Sequence, residues 1–355
     1  MKKEYNIIGI MSGSSLDGLD MALCQFNLSS GKWNYKILVA ETVAFSPHIK
    51  NQLADISNLS PENFVSLDFQ FGKYIGNEVN SFIQKHKIKE VDYIASHGHT
   101  AFHNPANGYT SQIGNGASIA SETEISAVCD FRSTDIALGG EGAPLVPIGD
   151  KLLFNEYSYC LNLGGYSNIS YEKDKFRIAF DICPVNKIIN YLAQKRGEDI
   201  DKDGETAKHG TINSQLLQSL NNLDFYKRIS PKSLDDNWFN NIFLNVLSQF
   251  DNTGVQDLLR TVYEHIAIQI RNVTNHTDNK TILVTGGGAH NNFLIERISS
   301  INQNALILPD KTLIDYKEAL IFAFMGLLRI ENKPNCLSSV TGAKKDTSSG
   351  VIYNV

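Results

Sequence analysis

The sequence predicts an α/β protein built from two similar halves. Its 355 residues are enough for two domains at about 150 residues each. A series of strand, glycine turn, strand and strand lies near the N-terminus and returns about 150 residues later. Each series is followed by helical segments and one more apolar strand. Because the residue identities differ between the two series, we expect a repeat of structure rather than of sequence.

The strands of the first half are apolar or alternating runs separated by short polar turns. In order, they are predicted at 5–11, 19–27, 33–44 and 91–98. The turn at 12–18 joins the first two and is rich in Gly and Ser. Ser46-Pro47 opens a mixed stretch that predicts helix to about residue 87.

The second half repeats this order. Its strands are predicted at 157–163, 166–172, 176–181 and in TILVTGGG (281–288). The clearest helices are 255–275 and the strongly apolar 315–330, which we expect to bridge back to the first half. No linker rich in Pro, Ser or charge separates the halves, and the join is expected at 121–135. The predicted domains are 1–130 with about 330–355, and 131–329, with a cleft between the glycine turns.

Composition excludes several classes of function. The net charge of −6 gives no large basic footprint, so we expect no nucleic-acid partner. No apolar run approaches the roughly 18 residues of a membrane span, and the N-terminus lacks the pattern of a secretory signal. The five cysteines are odd in number and match no zinc or redox spacing. We therefore expect a cytoplasmic protein.

The glycine turns are the first candidate binding residues. The turn at 12–18 is neither a P-loop nor a dinucleotide fingerprint, but its N–H groups and the hydroxyls of Ser12, Ser14 and Ser15 can surround an anion. A ligand-free hairpin is the alternative. Asp17 fits beside phosphates if Mg²⁺ lies between them. Gly164-Gly165 and Gly286–Gly288 also end apolar strands, so the turns together fit one large phosphorylated ligand. Asn291 then begins a helix, and helix capping alone is its other interpretation.

Two carboxylates are candidates for general acid–base chemistry. Asp181 ends the third strand of the second half, where a rigid carboxylate suits a base; a turn-forming Asp is the alternative. Glu318 follows Asp315 by three residues, which also fits a capping box. Arg132, beside the glycine-rich 139–142, can clamp a sugar carboxylate or belong to a surface ion pair. His97 is a candidate polar contact to a sugar, or an ordinary polar residue at a strand end.

Together these motifs resemble the anhydro-N-acetylmuramic acid kinase family. The resemblance runs in order over nearly the whole chain, in blocks that include GIMSGSSLDGLD (9–20), SHGHT (96–100), DFRSTDIALGGEGAPLVP (130–147), LNLGGYSNIS (161–170) and TGGGAHNN (285–292). It implies a duplicated actin-like ATPase fold, related to ribonuclease H. It also implies ATP-dependent conversion of 1,6-anhydro-N-acetylmuramic acid to N-acetylmuramic acid 6-phosphate in peptidoglycan recycling, and a homodimer.

The resemblance also implies roles for single residues. Asp181 matches the base that activates water, and Glu318 matches a carboxylate that assists it. His97 and Arg132 are expected at the sugar, and Mg²⁺ is implied with ATP, with ligands that the sequence does not identify. ATP is expected at Gly13, Ser14, Ser15, Leu16, Asp17, Gly18, Leu19, Asp20, Gly164, Gly165, Gly286, Gly287, Gly288 and Asn291.

The chain departs from the family pattern on the sugar side. Cys183-Pro184-Val185-Asn186 stands where the family has Gly-Pro-Gly-Asn, His99 replaces a Gln, and 235–237 lack the usual Gly and Glu. ATP binding is therefore a firmer expectation than the identity of the sugar. Two alternatives remain open at this point: a kinase for a related amino sugar without an anhydro ring, and a non-catalytic sensor of sugar or nucleotide.

Overall fold

A computed structural model describes residues 4–13, 16–275 and 280–355. The chain divides into two compact units. The first contains the chain up to Leu153 and again from Tyr316 to the C-terminus, and the second runs from Phe154 to Asp315.

The eight predicted strands are present in the predicted order, and the structure adds further strands and helices between and after them. The strands are β1 Glu4–Ser12, β2 Gly18–Ser29, β3 Lys32–Ala44, β4 Tyr93–Ser96, β5 His99–Asn104, β6 Tyr109–Ile113, β7 Ala127–Cys129, β8 Tyr159–Leu163, β9 Tyr166–Lys173, β10 Phe176–Pro184, β11 Thr281–Thr285, β12 Ala305–Ile307 and β13 Val351–Tyr353. The α-helices are α1 Pro47–Ala54, α2 Pro61–His86, α3 Gly116–Thr123, α4 Ser133–Ala137, α5 Pro147–Leu153, α6 Asn186–Gln194, α7 Glu205–Lys208, α8 Ser214–Asn221, α9 Asp224–Lys227, α10 Asp236–Trp238, α11 Leu244–Ser248, α12 Val255–Thr274, α13 Asn292–Ile301, α14 Lys311–Ile330 and α15 Ser338–Thr341.

The two main sheets share the same arrangement of five strands, and the first sheet has a sixth strand, β13, antiparallel to β7. The sheet of the first unit has the order β13-β7-β4-β1-β2-β3, and that of the second has the order β10-β9-β8-β11-β12. In both, the first three strands form an antiparallel meander. Two further strands then add in parallel to the free side of the first strand. The predicted structural duplication is therefore confirmed, and with it the actin-like fold class.

The central strands are apolar because both of their faces are covered. In β1, the side chains of Ile7, Ile8 and Ile10 are fully buried. In β11, Ile282, Leu283 and Val284 are likewise fully buried. A strand covered on both faces shows a continuous apolar run instead of alternation. This explains why the sequence marked these two strands clearly.

Helix α14 lies directly against β1 in the first unit. A Cβ atom at Gly9 would collide with the backbone carbonyl of Ala319, so only glycine permits this approach. Phe324 extends the contact, with its ring 5.5 Å from the rings of both Phe26 and Trp33. The helix is thereby held at the residue that follows Glu318, which fixes the position of the Glu318 backbone.

Helix α12 forms much of the core of the second unit. Its buried side chains include Leu259, Val262, Tyr263, Ile266 and Ile270, at the spacing of one helical face. Each is fully buried. The predicted helix 255–275 matches this element to within one residue.

The unit boundaries differ from those expected from the sequence. The first boundary was placed at 130/131 and lies at 153/154, and the second was placed at about 329/330 and lies at 315/316. The second shift follows from the packing of α14 on β1, a contact between residues far apart in sequence. The prediction that this helix returns to the first half agrees with the structure. No helix in the described ranges has the length and apolar character to cross a membrane.

Candidate active site

The first glycine turn joins β1 to β2, as the sequence predicted. Its described residues are Gly13 and 16–18; Ser14 and Ser15 lie outside the described residues. Leu16 adopts a left-handed conformation (φ +57°), and its N–H donates to the Gly13 carbonyl oxygen at 3.3 Å. The turn begins beside a polar pair, because the buried Ser12 hydroxyl lies 3.0 Å from Nδ1 of His99. His99, which departs from the family pattern, therefore supports this turn.

A group of charged residues lies near Glu318. The Thr42 hydroxyl donates to Asp20 Oδ1 at 2.6 Å. Many protein atoms lie near the Glu318 carboxyl group. The side chain as a whole is nevertheless exposed to water. This environment raises the pKa of the Glu318 carboxyl, and the charge of Asp20 raises it further, whereas Arg132 and Lys317 oppose the shift. The Glu318 carboxylate has no hydrogen-bond partner within the part of the chain that the structure describes.

Arg132 contacts two other residues of the first unit, His97 and Gly142. Its Nε donates to His97 Nε2 at 2.9 Å, and its Nη1 donates to the Gly142 carbonyl oxygen at 2.5 Å. Burial lowers the pKa of the guanidinium to about 10, so it remains charged at neutral pH. The pKa of His97 falls well below its ordinary value, first through burial and second through the charge of Arg132. The structure thus brings together Arg132 and His97, two of the predicted sugar-side residues.

Asp181 is held rigidly in the second unit. It lies in β10, next to a bulge opposite β9. Its Oδ2 accepts a hydrogen bond from the Leu234 N–H at 2.8 Å, and its own N–H donates to the Lys232 carbonyl oxygen at 3.1 Å. Among the described residues, Oδ1 has no hydrogen-bond partner in the protein. Burial raises the pKa of this carboxyl, and the Leu234 hydrogen bond opposes that shift.

The departure at 183–186 adds side chains to the core. Cys183 and Val185 are both fully buried in the apolar core of the second unit. The Cys183 thiol lies 3.4 Å from the Ser167 hydroxyl. These two side chains, which replace glycines of the family pattern, therefore pack inward.

Asn186 connects the glycine turns of the second unit. Its N–H donates to the Gly164 carbonyl oxygen at 3.1 Å, and its side-chain amide donates to the Leu163 carbonyl oxygen at 3.1 Å. A Cβ at Gly288 would lie 3.3 Å from its Oδ1. The sequence analysis did not assign Asn186 a role, although it lies in the Cys-Pro-Val-Asn segment that the analysis singled out.

The glycine turn at 286–288 requires glycine at position 286. Gly286 has φ +84°, and a Cβ there would collide with Asn162 Oδ1. Asn291 follows this turn and caps α13, accepting from the Leu294 N–H at 3.0 Å. Its amide nitrogen donates to the Tyr263 hydroxyl at 2.7 Å. The side chain of Asn291 is therefore engaged in capping and packing.

Asp135 is a residue that the sequence analysis missed. It is fully buried, and its carboxylate accepts from the Gly142 N–H at 2.8 Å and from the Thr341 hydroxyl at 2.7 Å. It thereby joins the glycine-rich 139–142 to the segment at 341–343. The available signal was its position three residues after Arg132, in a motif that the analysis quoted.

The described ranges contain no group of three or more His, Cys, Asp and Glu side chains arranged to hold a metal ion.

Comparison with known proteins agrees with the resemblance in the sequence. The family model for anhydro-N-acetylmuramic acid kinase matches residues 5–355. The kinase of that name from Mannheimia succiniciproducens is 35% identical, covering 99% of this chain and all of that protein. Its counterparts in Pasteurella multocida and Pseudomonas syringae are 34% and 32% identical over at least 96% of each chain. The chain therefore belongs to the anhydro-N-acetylmuramic acid kinase family.

Proposed function

We propose that this chain uses ATP and water to convert 1,6-anhydro-N-acetylmuramic acid to N-acetylmuramic acid 6-phosphate, as part of peptidoglycan recycling. The observation that carries the proposal is the Asp181 carboxylate. One oxygen is fixed by the Leu234 N–H, and the other has no protein partner among the described residues. A carboxylate held in this way on a strand can take a proton from a water molecule in a defined direction.

The proposed reaction balances as follows. Asp181 accepts a proton from water, whose oxygen bonds to C1 of the sugar while the bond from C1 to O6 breaks. O6 then bonds to the γ-phosphorus of ATP as the bond to the leaving ADP oxygen breaks. The proton leaves Asp181 for solvent. A carboxylate that activates water for attack on a sugar C1 follows the logic of inverting glycosidases.

Glu318 and Arg132 have distinct proposed roles in the first unit. The Glu318 carboxylate is open to water and has no hydrogen-bond partner in the described ranges, so it is available to orient a sugar hydroxyl or the attacking water. Arg132 keeps its charge and has donors beyond those bound to His97 and Gly142. A guanidinium of this kind suits the carboxylate of an acidic sugar.

The nucleotide is proposed to bind at the glycine turns. The proposed phosphate contacts are backbone N–H groups at 13–18, 164–165 and 286–288, except that of Leu16, which donates to the Gly13 carbonyl oxygen. Mg²⁺ is proposed to bind together with the nucleotide, and Asp17, which is exposed, and Asp20 are the candidate carboxylates in the first unit. Carboxylate oxygens are the ligands this ion prefers, and when bound it neutralises phosphate charge.

Comparison of two sugars tests the proposal. The protein is incubated with Mg-ATP and either 1,6-anhydro-N-acetylmuramic acid or N-acetylmuramic acid, and ADP and sugar phosphate are measured by mass spectrometry. We expect one ADP for each N-acetylmuramic acid 6-phosphate, with the anhydro sugar preferred. Preference for the open sugar would instead identify a kinase that needs no water. Binding of both ligands without turnover would identify a sensor.

We also propose a cytoplasmic homodimer. The reaction consumes ATP, and Cys24, Cys129, Cys160, Cys183 and Cys336 are all buried free thiols, as suits a reducing compartment. The dimer rests on the resemblance to the family. Light scattering during size-exclusion chromatography tests it, and a mass of one chain would contradict it.

A further inference from the structure

Arg132 is held at two of its three nitrogens. Nε donates to His97 Nε2 and Nη1 donates to the Gly142 carbonyl oxygen. Within the described ranges, Nη2 has no hydrogen-bond partner in the protein. The guanidinium is planar, so fixing two nitrogens fixes the direction of the third.

His97 has no free ring nitrogen with which to bind a sugar. Its Nδ1 lies 3.0 Å from the Gly98 carbonyl oxygen, which only accepts, so Nδ1 carries the proton. Nε2 must then accept from Arg132, and only the neutral ring satisfies both contacts. The side chain is 4% exposed, and its ring lies 4.7 Å from that of Phe322. The ring is therefore enclosed and fully engaged.

The Gly142 carbonyl oxygen, which accepts from Arg132, is held in place by Asp135. The Gly142 N–H donates to Asp135 Oδ2, and the Asp135 backbone carbonyl accepts from the Gly140 N–H at 2.9 Å. Thr341 donates to the other carboxylate oxygen of Asp135. Asp135 is fully buried, so these donors compensate for the removal of its charge from water. This arrangement fixes the Gly142 carbonyl that Arg132 contacts.

We propose that His97 and Asp135 are positioning residues that act through Arg132, directing its Nη2 edge towards the carboxylate of the acidic sugar without touching the sugar themselves. The inference rests on the proposed function and changes one expectation from the sequence, since His97 was expected to contact the substrate directly. It also explains why three separated motifs, at 96–100, 130–147 and 341–343, belong to one site.

Kinetics with two sugars test the inference. One is 1,6-anhydro-N-acetylmuramic acid, and the other is 1,6-anhydro-N-acetylglucosamine, which lacks the carboxylate. His97→Leu should raise KM for the acidic sugar about 10- to 100-fold, because a hydrogen bond to a charged group contributes about 1.5–3 kcal/mol. KM for the neutral sugar and for ATP should change less than threefold. His97→Gln, which restores an acceptor for Arg132, should recover most of the loss.

A double-mutant cycle separates positioning from direct contact. If His97 acts through Arg132, His97→Leu should add less than threefold to the KM of an Arg132→Met variant. Thr341→Val should shift KM for the acidic sugar in the same direction as His97→Leu, by a smaller factor. The matched control is His48→Leu, an exposed histidine on α1, which should leave every KM unchanged. Thermal unfolding checks that each variant is folded.

Several outcomes would overturn the inference. Equal losses for both sugars, or multiplicative effects of His97→Leu and Arg132→Met, would mean that His97 touches the sugar or only supports the fold. If the wild-type protein used both sugars equally well, Arg132 would not bind the carboxylate, while the kinase proposal would stand. Turnover of neither sugar would refute the proposed function, and the inference with it.

Discussion

Replacing Asp181 by Asn removes the proposed base with little other change. Asn keeps an oxygen that can accept from the Leu234 N–H, so the side chain should stay in place. Its amide nitrogen cannot take a proton from water. General-base catalysis contributes about 10²–10⁴-fold, so kcat should fall by that factor, or about 3–5 kcal/mol in the activation barrier. KM for ATP should stay within threefold.

The stability of the Asp181→Asn variant should not fall with its activity. Burial raises the pKa of Asp181 in the folded protein, so the folded state binds this proton more tightly than the unfolded state. The stabilisation from protonation is therefore present at low pH and lost as pH rises through the folded pKa. Asn is neutral at every pH, so at pH 7 Asp181→Asn should unfold at the same temperature as the wild type or a slightly higher one.

The pH profile follows from the same shift. Because the base must be ionised, kcat/KM should fall as pH decreases through the raised pKa of Asp181, above the ordinary range of an aspartate. The assay measures ADP release and sugar phosphate from pH 4 to 9. Asp55→Asn is the matched control, since this exposed carboxylate accepts from Asn58 Nδ2 and Asn keeps an oxygen for that bond. Full activity in Asp181→Asn, or an equal loss in Asp55→Asn, would refute the assignment of the base.

Two further substitutions test the framework around the site. Lys317 pairs with buried Asp150 at 2.7 Å, so Lys317→Met should lower the free energy of unfolding by about 3–5 kcal/mol. Urea denaturation should show that the double variant with Asp150→Leu regains most of this, and a single variant within 1 kcal/mol of the wild type would contradict the pairing. Gly286→Ala introduces a Cβ at φ +84° beside Asn162 and should raise KM for ATP at least tenfold. Gly254→Ala, at φ −58° with open space, is its control, and equal KM values in the two variants would count against a nucleotide role for the turn.

The sequence predicted the antiparallel strands of the two main sheets and the central strands β4 and β11, because their signals are local. It did not predict the short strands β5, β6, β7, β12 and β13. Apolar runs fix β1 and β11, and glycine turns fix where β2 and β9 begin. The end of β10 was placed at Asp181, whereas the strand continues to Pro184 through a bulge. A bulge depends on the partner strand, here through Ser167 and Cys183, and leaves no clear mark in the sequence of one strand.

The side-chain geometry of the site was less predictable. The motifs identified Arg132 and His97, but they could not show that His97 uses both ring nitrogens within the protein. Asp135 was missed because its partners, Gly142 and Thr341, are brought together only by the fold. The unit boundaries differ from the predicted ones for the same reason. The contact of Gly9 with α14 joins residues about 310 positions apart, so the sequence around either residue does not show it.

The central claim is that one active site couples hydrolytic ring opening to phosphoryl transfer. The most direct test is turnover of 1,6-anhydro-N-acetylmuramic acid with Mg-ATP in ¹⁸O-labelled water, followed by mass spectrometry of the sugar phosphate. We predict one ¹⁸O atom per product molecule, located at C1, in a ratio of one to each ADP released. An unlabelled sugar phosphate, or ADP formed without labelled sugar phosphate, would contradict the coupled mechanism.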